Sequence, residues 1–172
     1  MKHNLVFLLI VLVTSILFSA CNNDEPKPEI FLCCEDNPFR SLNINNTQKE
    51  ILITNVFTPN NDGDNDFYLI PSLADYPNHS VTIYDLNDKI VYESEPFEKY
   101  GYYNWFDGRN QNTGEELKFG SYKYKIVIEN EHTFLQYGYL CLIRKKDDAN
   151  GFDFSNCHAP QTAIYADSVL AN

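Results

Sequence analysis

Basic residues are scarce: 13 Lys and Arg stand against 24 Asp and Glu, for a formal net charge of −11. A surface that tracks phosphates needs clustered Lys and Arg, and the one basic run, Arg144-Lys145-Lys146, is followed at once by Asp147-Asp148. Nucleic-acid binding is therefore excluded, as is adhesion to anionic lipid by charge alone. Catalytic motifs are missing too, with no Gly-x-Ser-x-Gly, no His-Glu-x-x-His and no phosphate-cradling glycine loop. His79, His132 and His158 are scattered in polar segments and read as surface residues. Carboxylate pairs are abundant in so acidic a chain and carry no information on acid–base work without geometry, so the protein reads as no enzyme. No Cys-x-x-Cys spacing supports zinc, and no stretch sustains the 3.6-residue period of an amphipathic helix.

The longest apolar run, Leu5–Phe18, is too short to span a bilayer comfortably. It follows Met1-Lys2-His3 and precedes Ser19-Ala20-Cys21, which makes residues 1–20 a secretory signal of the lipoprotein kind. Phe18-Ser19-Ala20-Cys21 resembles the bacterial lipobox, in which Cys21 takes the lipid and becomes the first mature residue. An ordinary cleaved signal peptide is the alternative. Asn22–Glu29 is polar and proline-bearing, an extended tether, and residues 21–44 form the lipidated N-terminal segment. Acidic residues so soon after Cys21 resemble the export signal of some surface lipoproteins. The expected location is the outer membrane, lipid-anchored, on the cell surface.

Beyond Cys21 the cysteines are Cys33, Cys34, Cys141 and Cys157, an even number in an exported chain. Adjacent Cys33 and Cys34 are poorly placed to bond each other, so the bridges join this pair to Cys141 and Cys157, in either order.

From Lys49 onward, short apolar, β-branched and aromatic runs alternate with turn clusters. Strands are predicted over Glu50–Phe57, Asp66–Ile70, Ser80–Asp85, Lys89–Glu93, Tyr102–Phe106, Gly120–Glu129 and Thr133–Ile143. In the sixth, Tyr122, Tyr124, Ile126 and Ile128 share one face while Lys123 and Lys125 take the other. Leu86-Asn87-Asp88 and Asn130-Glu131 read as hairpin turns. The expectation is an all-β, immunoglobulin-like β-sandwich of about seven strands over residues 45–144, disulfide-braced. A polar C-terminal tail, 145–172, is held through Cys157. Within it Asp167-Ser168-Val169 resembles a short O-glycosylation motif, with an unmodified loop serine as the alternative.

Two clusters invite a ligand. Asn60, Asp62, Asp64 and Asp66 alternate around Gly63, so their oxygens are a candidate calcium set, although the EF-hand positions of Gly and Glu are occupied by Phe67 and Leu73. A turn whose side chains bond their own backbone is the alternative. Tyr100, Tyr102, Tyr103, Trp105 and Phe106 form an aromatic cluster, of which Tyr102, Tyr103 and Trp105 are candidate glycan or partner contacts; core packing is the alternative.

Thr54-Asn55-Val56-Phe57-Thr58-Pro59-Asn60-Asn61-Asp62-Gly63-Asp64-Asn65-Asp66 resembles the opening signature of the gliding motility-associated C-terminal domain, the type B sorting domain of type IX secretion. Further matches follow in order. Val81–Asp85 and Ile90–Ser94 look like its paired strands, and Trp105-Phe106-Asp107-Gly108 like its Trp-Asp-Gly element with one residue added. Phe119–Tyr124 resembles its Gly-x-Tyr-x-Tyr strand, and Gly138–Arg144 its last strand. The resemblance covers roughly Ile51–Arg144 and implies an immunoglobulin-like sandwich. It departs from the family at Asp85-Leu86-Asn87-Asp88, where Asn-Arg-Trp-Gly is usual, and in the 28 residues that follow Arg144.

These features lead to a surface lipoprotein that binds a larger outer-membrane protein complex without catalysis. A type IX sorting signal is the second reading and a glycan-binding accessory lipoprotein the third.

Overall fold

The computed structural model describes residues 33–34, 51, 53–71, 73–99, 102–129, 133–159 and 166–171. The signal run, Cys21, most of the tether, Tyr100, the Asn130-Glu131 turn and His132 lie outside the described residues. Among the described residues, no helix is long and apolar enough to cross a membrane.

Among the described residues the chain is all-β apart from a 3-10 turn at Leu73–Asp75 and one short helix, α1 (Lys146–Ala149). Its strands are β1 (Val56–Phe57), β2 (His79–Tyr84), β3 (Ile90–Ser94), β4 (Glu98–Lys99), β5 (Tyr102–Tyr103), β6 (Gly120–Glu129) and β7 (Thr133–Leu142). Five of them form one open sheet in the order β1-β7-β6-β2-β3, with β1 parallel to β7 and every other pair antiparallel. β4 and β5 form a separate two-stranded ribbon. The described strands thus divide five and two, and the layer opposite the sheet is a ribbon with irregular chain. The expected strand Asp66–Ile70 contributes to that layer only the single bridge Tyr68–Phe106. Pro71 follows, lacks an N–H, and stops a ladder from continuing.

The period-2 pattern of β6 sets the core. Tyr122, Tyr124, Ile126 and Ile128 are buried while Lys123, Lys125 and Val127 are half-buried on the other side. Opposite them in register lie Leu140, Gly138, Gln136 and Phe134 of β7, and Val81 and Ile83 of β2 pair with Ile126 and Tyr124. Phe57, Tyr68, Phe97 and Phe106, all fully buried, pack onto this face.

Gly138 is required by the ring across from it, because a Cβ there would run into the Tyr124 side chain. Gly138→Ala is expected to displace that ring from the core and cost about 1–3 kcal/mol as an overpacking change, read by chemical denaturation.

The other face is covered at the β1–β7 end by residues from both termini of the domain. Cys34, Val56, Cys141, Ile143, Ala149, Phe154, Cys157, Val169 and Leu170 form a second buried cluster. Cys33 bonds Cys141, and Cys34 bonds Cys157, with Cα–Cα separations of 5.2 and 5.0 Å. This side also explains why, among the described residues of the strand expected over Glu50–Phe57, the ladder is confined to Val56–Phe57. Asn55 gives its N–H to the carbonyl of His158 at 2.9 Å, and its side-chain oxygen accepts from the His158 N–H at 2.7 Å, so the tail takes the place of a strand partner.

His79, expected at the surface, is 2% exposed. Its Nε2 accepts the Phe97 N–H at 3.0 Å, which leaves Nδ1 to donate to the Tyr76 carbonyl. One imidazole thereby ties β2 to the Leu73–Tyr76 turn and to the layer above. Burial lowers its pKa below the ordinary 6.5, against a smaller opposing effect of the Tyr76 carbonyl. The unfolded state then binds the proton more readily than the folded one. The stability that neutral His79 contributes is full above pH 6.5 and lost as pH falls through its lowered folded value. Melting temperatures taken from pH 8 downward should fall more steeply for the native chain than for His79→Phe.

Candidate functional site

The segment Thr58–Asp66 is a tight loop that leaves β1 and closes where the Thr58 N–H meets the Asn65 carbonyl at 2.8 Å. Inside it Asn61, Gly63 and Asn65 have φ values of 64°, 99° and 50°. Three left-handed residues in five explain the Asn and Gly content, since these types reach that region with least steric cost. Asp66 holds the turn from within: Oδ1 accepts from the N–H groups of Asn60 (3.0 Å) and Asn61 (2.6 Å), and Oδ2 from Gly63 (2.8 Å). Asp62 Oδ1 accepts the Asp64 N–H at 2.9 Å, and Asn60 Oδ1 the Asp62 N–H at 3.0 Å. The Asp62 carboxyl is held below its usual range, chiefly by the Asp64 N–H and then by Ser168 and Asn60.

Asn60, Asp62 and Asp66 of the candidate calcium set therefore direct oxygens at amide donors of their own loop, the geometry of the turn reading. Among the described residues, no three His, Cys, Asp or Glu side chains are grouped to hold a metal ion.

Below this loop lies Arg144, just after β7. Its guanidinium donates from Nη1 to the Pro59 carbonyl (2.7 Å), from Nη2 to the Gly108 carbonyl (2.8 Å) and from Nε to the Leu117 carbonyl (3.4 Å). Gly108 has φ 78°, and a Cβ on it would lie 2.9 Å from Leu142 and 3.0 Å from Arg144 and Pro59. The opening loop, the Trp-Phe-Asp-Gly turn and the end of the last strand thus meet at one cation, which the planar donor fork of Arg suits. Arg144→Met keeps the apolar stem, takes the donor from the Pro59 and Leu117 carbonyls and leaves the Gly108 carbonyl with the Leu117 N–H. About 2 kcal/mol of stability should be lost in urea unfolding.

The turn after Gly108 also seals a sheet edge. Gln111 gives its N–H to the Val91 carbonyl at 2.8 Å and accepts the Glu93 N–H on its side-chain oxygen at 2.9 Å, so β3 is blunted against strand addition there. Arg109 and Glu116 pair at 2.7 Å across that turn.

The chain's end returns to the loop. Asp167 is fully buried, and its Oδ2 accepts from Thr58 Oγ1 (2.8 Å) and Asn65 Nδ2 (2.7 Å) while Oδ1 accepts the N–H groups of Val169 (2.8 Å) and Leu170 (3.1 Å). Ser168 is exposed and donates to Asp62 at 2.7 Å. The tail is thus built into the body, with Val169 and Leu170 buried, as the staple at Cys157 implies.

Of the candidate glycan residues, Tyr102 and Tyr103 stand in β5 opposite Lys99 and Glu98, and their side chains lie outside the described part. Trp105 is half-buried against the main core, 5.9 Å from the Phe67 ring, which is a packing position. Thr58, Asn65, Arg144 and Asp167 went unrecognised as a group in the sequence because each is an ordinary polar residue until the fold brings them together.

The family model of the CHU_C type IX secretion signal domain matches residues 51–142, more than half of the chain. Comparison with curated proteins and with solved structures gives no match. The matched span takes in the opening loop, the Gly108 turn and the seven described strands, and it marks a secreted or cell-envelope protein. The chain belongs to the type IX secretion signal domain family.

Proposed function

We propose that the folded domain is a type IX sorting signal on a lipoprotein, and that it carries the chain to the outer face of the outer membrane, where lipid on Cys21 retains it. The family match over residues 51–142 carries this reading. The rigid convergence of loop, turn and last strand at Arg144 supports it, because a recognition surface works best on fixed elements. The lipid anchor rests on Leu5–Phe18 and the Ser-Ala-Cys ending. The test is surface labelling of intact cells. The protein should be accessible in the parent strain and inaccessible in one lacking the type IX translocon, and Cys21→Ser should abolish acyl labelling. Equal labelling in both strains would refute the sorting role.

Once delivered, the protein acts without catalysis as a subunit that meets a larger envelope partner. The solvent side of the sheet supports this second element. Tyr84, Lys123 and Tyr139 stand in one cross-strand row, with Tyr137, 40% exposed, beside them around a depression of about 440 Å³. Photocrosslinkers placed at Tyr137 should capture the partner, and a lone monomer after mild extraction would count against it.

A further inference from the structure

The family match ends at residue 142, yet the loop at the start of the match is completed by a side chain 25 residues beyond that end. Asp167 reaches both halves of the loop neck, Thr58 and Asn65, which are themselves fully buried and joined by the 2.8 Å Thr58 N–H to Asn65 carbonyl bond. The tip, Asn61 to Asp64, stays exposed. The tail grips the neck and touches the tip where Ser168 donates to Asp62, yet the tip stays exposed, which is the arrangement for presenting a loop rather than masking it. A carboxylate with no solvent contact that accepts four hydrogen bonds is also worth more than a neutral acceptor would be, since charge-assisted bonds are the stronger ones. The segment carrying it is pinned from the other side by Val169 and Leu170 in the second buried cluster and, further back, by the Cys34–Cys157 bridge.

We infer that Asp167 is a positioning residue of the sorting signal, so that the functional signal of this chain runs through Leu170 and includes the tail beyond the matched span. This rests on the sorting reading above. It assigns the tail a part in presenting the Thr58–Asp66 loop to the secretion machinery.

The test uses the full chain in cells, with surface labelling as the measure of export, and the purified protein for amide hydrogen exchange. Asp167→Ala should speed exchange of the Thr58 N–H about tenfold or more while the β6 amides of Ile126 and Ile128 keep their protection. Export should fall severalfold in the same variant. Asp167→Asn should recover most of it, because Thr58 and Asn65 can each turn an acceptor toward the new amide. If Asp167→Ala also loosens β6, Thr58→Val replaces it, removing one donor from the neck and leaving Asp167 with its other three; the same direction of change is expected. The proposal is overturned if the loop loosens and export is unchanged, if the loop does not loosen, or if Asp167→Asn exports no better than Asp167→Ala. Failure of the sorting reading looks different, since the unaltered chain would then reach the surface without the translocon while the exchange result still decides whether Asp167 holds the loop.

Discussion

Replacing Cys34 and Cys157 by alanine is expected to lower the unfolding free energy by about 3 kcal/mol, the chain-entropy value for a loop of roughly 15 residues. That figure is smaller than the 123-residue sequence separation of the pair suggests. With Cys33–Cys141 intact, the loop that the second bridge closes is only the stretch from Cys141 to Cys157 together with the Cys33-Cys34 link. Removing Cys33–Cys141 as well opens a loop of more than a hundred residues, worth about 4–5 kcal/mol more, enough to unfold a domain of ordinary stability. The single and double removals should therefore separate clearly in urea midpoints. The second buried cluster should loosen first, because Cys34 and Cys157 are two of its members and both bridges run through it.

Phe106→Ala is expected to cost about 3–5 kcal/mol, as large-to-small changes at fully buried aromatics do. The ring lies 5.5 Å from Phe57 and 5.2 Å from Tyr92, between the first and third strands, and its carbonyl accepts the Tyr68 N–H at 2.9 Å. Phe106 is also the residue before Asp107-Gly108, so a cavity there relaxes toward the Gly108 carbonyl that Arg144 holds. Loss of near-ultraviolet circular dichroism and a lowered urea midpoint would both report it. A change under 1 kcal/mol, the range of an exposed position, would contradict the packing described here.

The parts of the fold that were legible in the sequence are those where one local pattern meets one buried face. β6 is the plainest: its alternation of tyrosine or isoleucine with lysine or valine matches burial residue by residue. The Leu86-Asn87-Asp88 turn was legible too, with Asp88 at φ 66° and the Asp85 carboxylate accepting the N–H groups of Asn87 and Lys89, each at 2.9 Å. The disulfide partners followed from counting and adjacency, and only the order needed the structure. What stayed hidden depends on residues far apart in the chain. His79 sits between Asn78 and Ser80 and looks exposed, but its partners are backbone groups of Tyr76 and Phe97. Asp167 meets Thr58 and Asn65 over more than a hundred residues, so its three-residue neighbourhood suggested a surface modification motif instead. The Asn60–Asp66 loop shows a different limit: oxygen-rich side chains serve a cation and a self-bonded turn equally well in sequence, and the amide groups that Asp66 accepts from are seen only in the fold. Asp66–Ile70 alternates like a strand, yet it forms only the Tyr68–Phe106 bridge and is followed by Pro71.

The central claim is that this folded domain is itself a signal for type IX secretion, and the most direct measurement is transfer of that signal to unrelated cargo. A monomeric reporter placed ahead of residues 31–172, behind an ordinary cleaved signal peptide and without Cys21, should leave the cell in a strain with the type IX translocon and stay in the periplasm of a strain without it. Retention of a folded, disulfide-bonded fusion in both strains would contradict the account, as would equal release from both.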